Sequence, residues 1–159
     1  MTVSVRRADP AEAAGLAPVL TALCRRSKAS WGYPPELLDR WANDLRIEPV
    51  DIVDDTVLVA ETEHDGLVGF ARVAQRTDHT QLKDLWVEPA AFRMGVGGSL
   101  WAAALAVARD LAFDELRFAA DPNAEPFYVH MGARRIGMLP SEIVNGRTLP
   151  LMAFDLRVR

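Results

Sequence analysis

Near the N-terminus, the spacing of apolar residues changes from a period of two to a helical period. Alternating valines predict a half-buried strand over residues 2–7. An acidic cap followed by proline at residues 9–12 indicates a helix start. A glycine and Pro18 then interrupt the pattern, so we predict that the main first helix begins near Ala17. A second amphipathic helix is predicted over residues 36–45.

The remaining two thirds of the chain show strand and helix patterns in turn. A His-Asp-Gly turn indicates a hairpin between the first two of these runs. In chain order we predict strands at residues 56–61, 67–74 and 81–88, a long helix at 95–112, a strand at 115–120, a short helix at 123–131 and strands at 133–138 and 148–156.

One strand–helix–strand unit, residues 81–120, lies in the middle of this order. A crossover of this kind makes its two strands parallel, whereas the hairpins around it are antiparallel. We therefore predict an α+β fold, with a mixed and mostly antiparallel sheet flanked by helices. The length of 159 residues favours one domain spanning residues 1–159.

Composition excludes several classes of protein. The formal net charge is −4 and the basic residues are scattered, which argues against a nucleic-acid partner. No apolar stretch is long enough to cross a bilayer, and the first nine residues are too charged for a signal peptide. Cys24 is the sole cysteine, and the three histidines show no metal-binding spacing. We expect a cytoplasmic protein with no metal and no membrane partner.

Three glycines at the start of the predicted long helix are the strongest local signal. Gly95, Gly97 and Gly98 follow a strand, a proline and a short loop that carries Arg93. Backbone amides bared by glycines at the positive end of a helix form a site for a pyrophosphate. The other interpretation is that the glycines let the helix pack closely on the sheet, and spacing alone does not separate the two.

The known nucleotide motifs fit this segment poorly. The chain has no Gly-Lys pair, which excludes a phosphate-binding loop of the Walker type. The dinucleotide fingerprint lacks its third glycine, where Leu100 stands, and the acidic residues near the next strand precede it. A nucleotide-dependent enzyme is still a rival hypothesis for this loop, and it predicts that NAD or ATP stabilises the folded protein.

Two segments resemble the GCN5-related N-acetyltransferases. Residues 87–100 are similar to the acyl-CoA-binding segment of that family, Gln/Arg-x-x-Gly-x-Gly/Ala after a strand and a proline, with Phe92 at the Gln/Arg position. Residues 121–133 are similar to the family's Asn-x-x-x-x-Tyr-x-x-x-Gly-Phe helix, with Ala133 in place of the aromatic residue. The order of elements matches the family fold over nearly the whole chain.

The resemblance implies a cleft between two splayed parallel strands, here residues 81–88 and 115–120, that takes the pantetheine arm of acetyl-CoA. The expected contacts are the backbones of Leu85, Trp86 and Val87, then Phe92, Arg93, Met94, Gly95, Val96, Gly97, Gly98 and Ser99 around the pyrophosphate, with Asn123 and Tyr128 opposite. Asn123 is also well placed to cap the following helix.

The resemblance also implies that Tyr128 is the general acid, which protonates the departing thiolate. The base is left open among His79, Asp84 and Glu88; Glu88 lies beside the splay point, while burial of Asp84 in an apolar strand would raise its pKa. For each of these acids, an ion pair or a solvated strand edge is an equal alternative.

Variable segments are expected to bind the acceptor amine, with Trp31 and Tyr33 covering one side of its pocket and the 141–145 turn nearby. We therefore predict an N-acetyltransferase that uses acetyl-CoA and a primary amine of a small molecule or peptide. The alternative is a non-catalytic acyl-CoA-binding or regulatory domain of the same fold. An exposed final strand makes a homodimer a further expectation.

Overall fold

The computed structural model describes residues 2–158, and a seven-stranded sheet forms its centre. The strands are β1 (Val3–Arg7), β2 (Thr56–Thr62), β3 (Gly66–Gln75), β4 (Thr80–Val87), β5 (Glu115–Ala119), β6 (Arg134–Pro140) and β7 (Thr148–Asp155). Their order across the sheet is β1-β2-β3-β4-β5-β7-β6, and β4 and β5 form its one parallel pair within the described residues. The predicted α+β fold with a mixed, mostly antiparallel sheet is confirmed.

Helices cover both faces of the sheet. They are α1 (Ala13–Ala29), α2 (Pro35–Arg40), α3 (Pro49–Asp54), α4 (Val96–Arg109) and α5 (Glu125–His130), with short 3-10 turns at Pro10–Glu12 and Pro89–Ala91. Alternating residues of β2 separate the two layers: Val57 and Val59 pack toward α1–α3, whereas Leu58 and Ala60 pack toward α4. Within residues 2–158, no helix is both long and apolar enough to cross a bilayer.

The first helix begins earlier than predicted. The Asp9 carboxylate accepts a hydrogen bond from the Ala11 amide at 2.9 Å, and the 3-10 turn that it caps leads directly into α1. Pro18 lies inside this helix on its exposed side. The helical bond that proline cannot donate would have ended on the Ala14 carbonyl, which is exposed and can bind water instead, so the interruption is tolerated.

The second helix is shorter than predicted, and a third was missed. α2 ends at Arg40, and turns replace the expected helix over residues 41–45. α3 has six residues and one buried side chain, Ile52, so it offers no apolar period to detect. The sequence feature that could have predicted α3 is its N-terminus, where Glu48 and Asp51 form a capping box and Pro49 lies between them.

The edge strands of the sheet are β1 and β6, which corrects the expectation that the final strand, β7, is an exposed edge. β7 lies between β5 and β6 and pairs with both. Ile136, Met138 and Leu139 of β6 are exposed apolar side chains. The homodimer stays a prediction, and its candidate surface moves to β6.

Gly69 of β3 lets α4 approach the sheet closely. A Cβ at this position would lie 2.9 Å from the Trp86 carbonyl oxygen and 3.0 Å from methyl groups of Leu100 and Val96. The N-terminal turn of α4 therefore rests directly on the strand that supports β4.

Gly69→Ala is expected to lower the free energy of unfolding by about 1–3 kcal/mol, because strand and helix must separate to admit the methyl group. The matched control is Gly15→Ala on the exposed side of α1, where a Cβ meets nothing within 4 Å. That change should raise stability by about 0.5–1 kcal/mol through helix propensity. Urea denaturation measures both, and equal free energies for the two variants would contradict this account.

Candidate active site

The parallel strands β4 and β5 separate after two residue pairs. Thr80 pairs with Leu116 and Gln81 with Arg117, and no further pair joins the two strands. Where they part, the register between β3 and β4 shifts at Lys83, since Arg72 faces Asp84 but Val73 faces Leu82. This bulge bends β4 away from β5 and opens a cleft between them.

The outer half of β4 therefore has one unpaired edge. The Glu88 N–H donates to the Val68 carbonyl at 2.8 Å, which fixes the direction of its backbone groups toward β3. Backbone groups alternate between the two edges of a strand. Those of Trp86 thus point to β3, and those of Leu85 and Val87 point into the cleft. The predicted contacts at Leu85 and Val87 fit this geometry, but the backbone of Trp86 is already used by the sheet.

The cleft has a volume of about 520 Å³, within the usual range of small-molecule pockets. It brings together most of the predicted site residues: Trp31, Leu85, Trp86, Val87, Phe92, Arg93, Gly95, Val96, Gly97, Gly98, Asn123 and Tyr128. Its walls do not include Tyr33, Glu88, Met94 or Ser99. Met94 packs against the core, and the Ser99 amide donates to the Gly95 carbonyl at 3.0 Å, so that amide is not free.

The glycine loop, residues 92–99, ends the cleft on the α4 side. Arg93 and Gly95 both have left-handed backbones, with φ of 67° and 80°. This local conformation aims neighbouring amides to one side. Among residues 2–158, the amides of Val96, Gly97 and Gly98 find no protein acceptor. The loop carries no carboxylate, so an anion there would meet only amides, the helix dipole and Arg93.

The sequence left open whether the glycines bind an anion or allow close packing, and Gly97 allows close packing while its amide stays without an acceptor among the described residues. A Cβ on Gly97 would lie 3.2 Å from the ring of Phe127, so the residue also lets α4 approach α5. Phe92, at the position where the family has Gln or Arg, is 39% exposed and lines the cleft beside Arg93.

Tyr128 lies across the cleft from β4 in an aromatic cluster. Its ring centroid is 4.5 Å from that of Phe118 and 5.7 Å from that of Trp101, so the side chain is held in place. Burial raises the pKa of Tyr128, and the nearby Asp84 and Asp121 charges raise it further. No group among the described residues hydrogen-bonds its hydroxyl. The Tyr128 hydroxyl thus keeps its proton and has no hydrogen-bond acceptor among the described residues.

Asp121 forms a polar hub that closes one end of the cleft; it was not singled out in the sequence. Its carboxylate accepts from Lys28 at 2.8 Å, from the Tyr33 hydroxyl at 3.0 Å and from Arg147 at 3.3 Å. Burial raises the pKa of Asp121, but the Lys28 ammonium and the donated hydrogen bonds outweigh it and hold the pKa below its usual range. The signal available was an Asp-Pro-Asn start between a strand and a helix.

The hub changes the roles expected for two residues. The Tyr33 hydroxyl also accepts from Arg147 at 2.9 Å and from the Asn123 side chain at 3.0 Å, so it ties the loop after α1 to the β6–β7 loop. Asn123 does not cap α5, whose first residue follows Ala124. Its amide nitrogen is committed to Tyr33, although the residue still lines the cleft.

Glu88, a candidate base, lies outside the cleft in a bidentate ion pair. Both its oxygens accept from Arg26, each at 2.7 Å. This guanidinium lowers the pKa of Glu88 and makes it a weaker base. Trp31 lines the cleft and is 44% exposed. In the part of the chain that the structure describes, no group of three or more His, Cys, Asp or Glu side chains is placed to hold a metal ion.

Comparison with known proteins decides the family. The model of the acetyltransferase (GNAT) family matches residues 20–133, which include β4, the glycine loop and Tyr128. The chain belongs to the GNAT family. Members of that family are acetyltransferases. No protein of curated function matches this GNAT chain significantly.

Solved structures share the GNAT fold at low sequence identity. A GCN5-related N-acetyltransferase from Rhodopseudomonas palustris has a TM-score of 0.72 at 24% identity, covering 98% of this chain and 96% of its own. PaiA N-acetyltransferase from Thermoplasma acidophilum, solved with coenzyme A, has a TM-score of 0.73 at 18% identity, covering 98% and 99%. YncA of Salmonella typhimurium, solved with its cofactor acetyl-CoA, has a TM-score of 0.66 at 19% identity, covering 100% and 96%.

Asp121→Asn is expected to lower the free energy of unfolding by about 3–5 kcal/mol at neutral pH, because it leaves Lys28 and Arg147 buried without their counter-ion. Since the pKa of Asp121 is lowered in the folded protein, this difference is present above the ordinary carboxyl pKa and is lost as the pH falls through the lowered value. Chemical denaturation at several pH values measures it.

The matched control is Asp39→Asn, which removes an exposed carboxylate paired with Arg25. It should change stability by less than about 0.5 kcal/mol. A small effect of Asp121→Asn, similar to that control, would show that the hub does not hold the loops.

Proposed function

We propose that this GNAT chain is an acetyl-CoA-dependent N-acetyltransferase that modifies a primary amine of a small molecule or peptide by direct attack. The observation that carries the proposal is the continuity of one cleft. The unpaired edge of β4, the free amides of the glycine loop and the Tyr128 hydroxyl all line the same cavity. The coenzyme A and acetyl-CoA bound to PaiA and YncA support the choice of ligand.

Acetyl-CoA would supply the acetyl thioester, and the chain's residues would bind and orient it. The amides of Val96, Gly97 and Gly98, with Arg93, would hold the diphosphate. The free backbone groups of Leu85 and Val87 would hydrogen-bond the pantetheine amides as an added strand would. The Val87 N–H would then donate to the thioester oxygen and stabilise its growing negative charge.

Tyr128 would act as the general acid. Its hydroxyl is free, and its raised pKa keeps the proton on the oxygen until a thiolate forms nearby. The aromatic cluster around the ring supplies the fixed position that proton transfer requires.

Gly97→Glu is expected to weaken acetyl-CoA binding by at least about 100-fold, or roughly 3 kcal/mol, because a carboxylate would enter the anion site. Gly97→Ala is the matched control: it adds the Cβ near Phe127 without the charge and should weaken binding by less than about tenfold. The measurement is the change in Tm that acetyl-CoA, NAD or ATP causes in each protein. Acetyl-CoA should raise the Tm of the wild-type protein by binding its cleft, whereas NAD and ATP should not. Stabilisation by NAD or ATP instead would favour the nucleotide-dependent rival.

Tyr128→Phe is expected to lower kcat about 100-fold with little change in acetyl-CoA affinity, the pattern of a group that acts in the transition state. The assay is release of coenzyme A from acetyl-CoA with n-butylamine, 1,4-diaminobutane, 2-phenylethylamine, alanine amide and trialanine. Equal turnover by wild type and Tyr128→Phe would show that the Tyr128 side chain only packs in the core. Binding of acetyl-CoA without acetylation of any amine would favour the non-catalytic binding domain.

A further inference from the structure

Asp84 is a buried carboxylate on the wall of the cleft. Its side chain is 9% exposed and lies on the same face of β4 as Trp86, toward α1. The Trp86 indole N–H donates to its Oδ1 at 3.1 Å, and Arg72 lies 3.5 Å from its Oδ2. The indole carries no charge and the ion pair with Arg72 is long, so the carboxylate that lines the cavity is only weakly compensated.

Asp84 differs in this respect from the other acidic side chains near the cleft. Glu88 is neutralised by both donors of Arg26, and Asp121 receives Lys28 and Arg147. Both have lowered pKa values.

Arg72 is shared among three carboxylates. It bonds Asp55 at 2.8 Å and lies 3.4 Å from Asp51, so Asp84 receives the smallest part of its charge. One guanidinium facing three carboxylates leaves the cluster with excess negative charge at the edge of the cleft. Such a site favours a cation that enters from the cavity side.

The pKa of Asp84 depends on its burial and on the groups around it. Burial raises its pKa, against the lowering effect of the Trp86 hydrogen bond, of Arg72 and of Lys83. The charged and titratable groups that face it from the neighbouring elements are Cys24, Asp51, Asp55, Arg72, Lys83 and Tyr128. Of these, Arg72 is buried and shared among three carboxylates, and Lys83 is exposed to water. A raised pKa makes the carboxylate a stronger base than an ordinary aspartate.

We propose that Asp84 receives the ammonium group of a cationic primary amine and accepts its proton before attack. The inference rests on the proposed acetyl transfer and assigns the proton acceptor for it. Arg72 acts as a positioning residue, because it holds the carboxylate from the side away from the cavity.

One proton passes from the ammonium nitrogen to an Asp84 oxygen, which frees the nitrogen lone pair. The C–N bond forms to the thioester carbonyl carbon, and the C–S bond breaks with its electron pair on sulfur. Tyr128 gives its proton to the sulfur and recovers one from the new amide nitrogen. The proton on Asp84 leaves to solvent, so one amine cation and one thioester give an amide, a thiol and a proton.

Asp84→Asn is expected to lower kcat/KM for n-butylamine at least about 100-fold while leaving acetyl-CoA affinity unchanged. Wild-type kcat/KM should fall as the pH falls through the pKa of Asp84, and the variant should lose that limb. With 2,2,2-trifluoroethylamine, which is largely neutral at neutral pH, the loss should shrink to less than about tenfold. The matched control Asp39→Asn removes an exposed carboxylate that lies outside both this cluster and the cleft, and it should stay within about twofold of wild type.

A binding measurement on the wild-type protein needs no turnover. The Trp86 indole N–H resonance reports on Asp84 directly, because the two are hydrogen-bonded. We expect n-butylammonium chloride to shift this resonance in wild type and in Asp39→Asn, and to leave it unshifted in Asp84→Asn.

Failure of the proposed function would appear as no acetyl-CoA binding or no acetylated amine in wild type. The Asp84 inference would still be decided by the resonance shift. Turnover by Asp84→Asn within about threefold of wild type, with the same pH profile, would overturn it. If the wild-type protein acetylates no amine, an unshifted Trp86 resonance at high n-butylammonium concentration would also overturn the inference.

Discussion

Two neighbouring strands, β4 and β5, are hydrogen-bonded through two residue pairs and then separate. Buried backbone groups must find partners, so a sheet opened in its middle exposes an edge that a ligand can complete. The bulge at Lys83 supplies the bend, and the glycine loop and α4 follow the end of β4, beyond the last pair that joins the two strands. The proposed cofactor binding and the proposed chemistry both depend on this incomplete strand pair.

The rest of the fold keeps that opening from closing. Gly69 allows α4 to rest on β3, so the glycine loop is held at one end of the cleft. At the other end, Asp121 ties together the loop after α1, the start of the α5 segment and the β6–β7 loop. The cleft is thus framed by one close apolar contact and one buried ionic cluster, and each fixes a different end of it.

Electrostatics divide the cleft into two halves. Free amides, a helix N-terminus and Arg93 make the α4 end attractive to an anion. On the α1 side, Asp84 shares a guanidinium with two other aspartates and has the longest contact with it. Tyr128 lies between these halves with a free hydroxyl and a raised pKa. An anionic cofactor and a cationic acceptor would therefore meet at the residue proposed to protonate the leaving group.

The sequence by itself determined the order of the strands, the parallel crossover, the glycine loop and the family, because these rest on local periodicity and on contiguous motifs. It failed where the signal was short or distant in the chain. α3 has too few residues to show a period. Pro18 does not end α1, because the carbonyl that loses its hydrogen bond is exposed to water. Only the tertiary structure decided that Glu88 is neutralised by Arg26, that Tyr33 serves the Asp121 hub and that Asp84 has only a long contact with the shared Arg72. The availability of a side chain depends on its partners, and these partners come from residues 62 and 88 positions away for Glu88 and Tyr33.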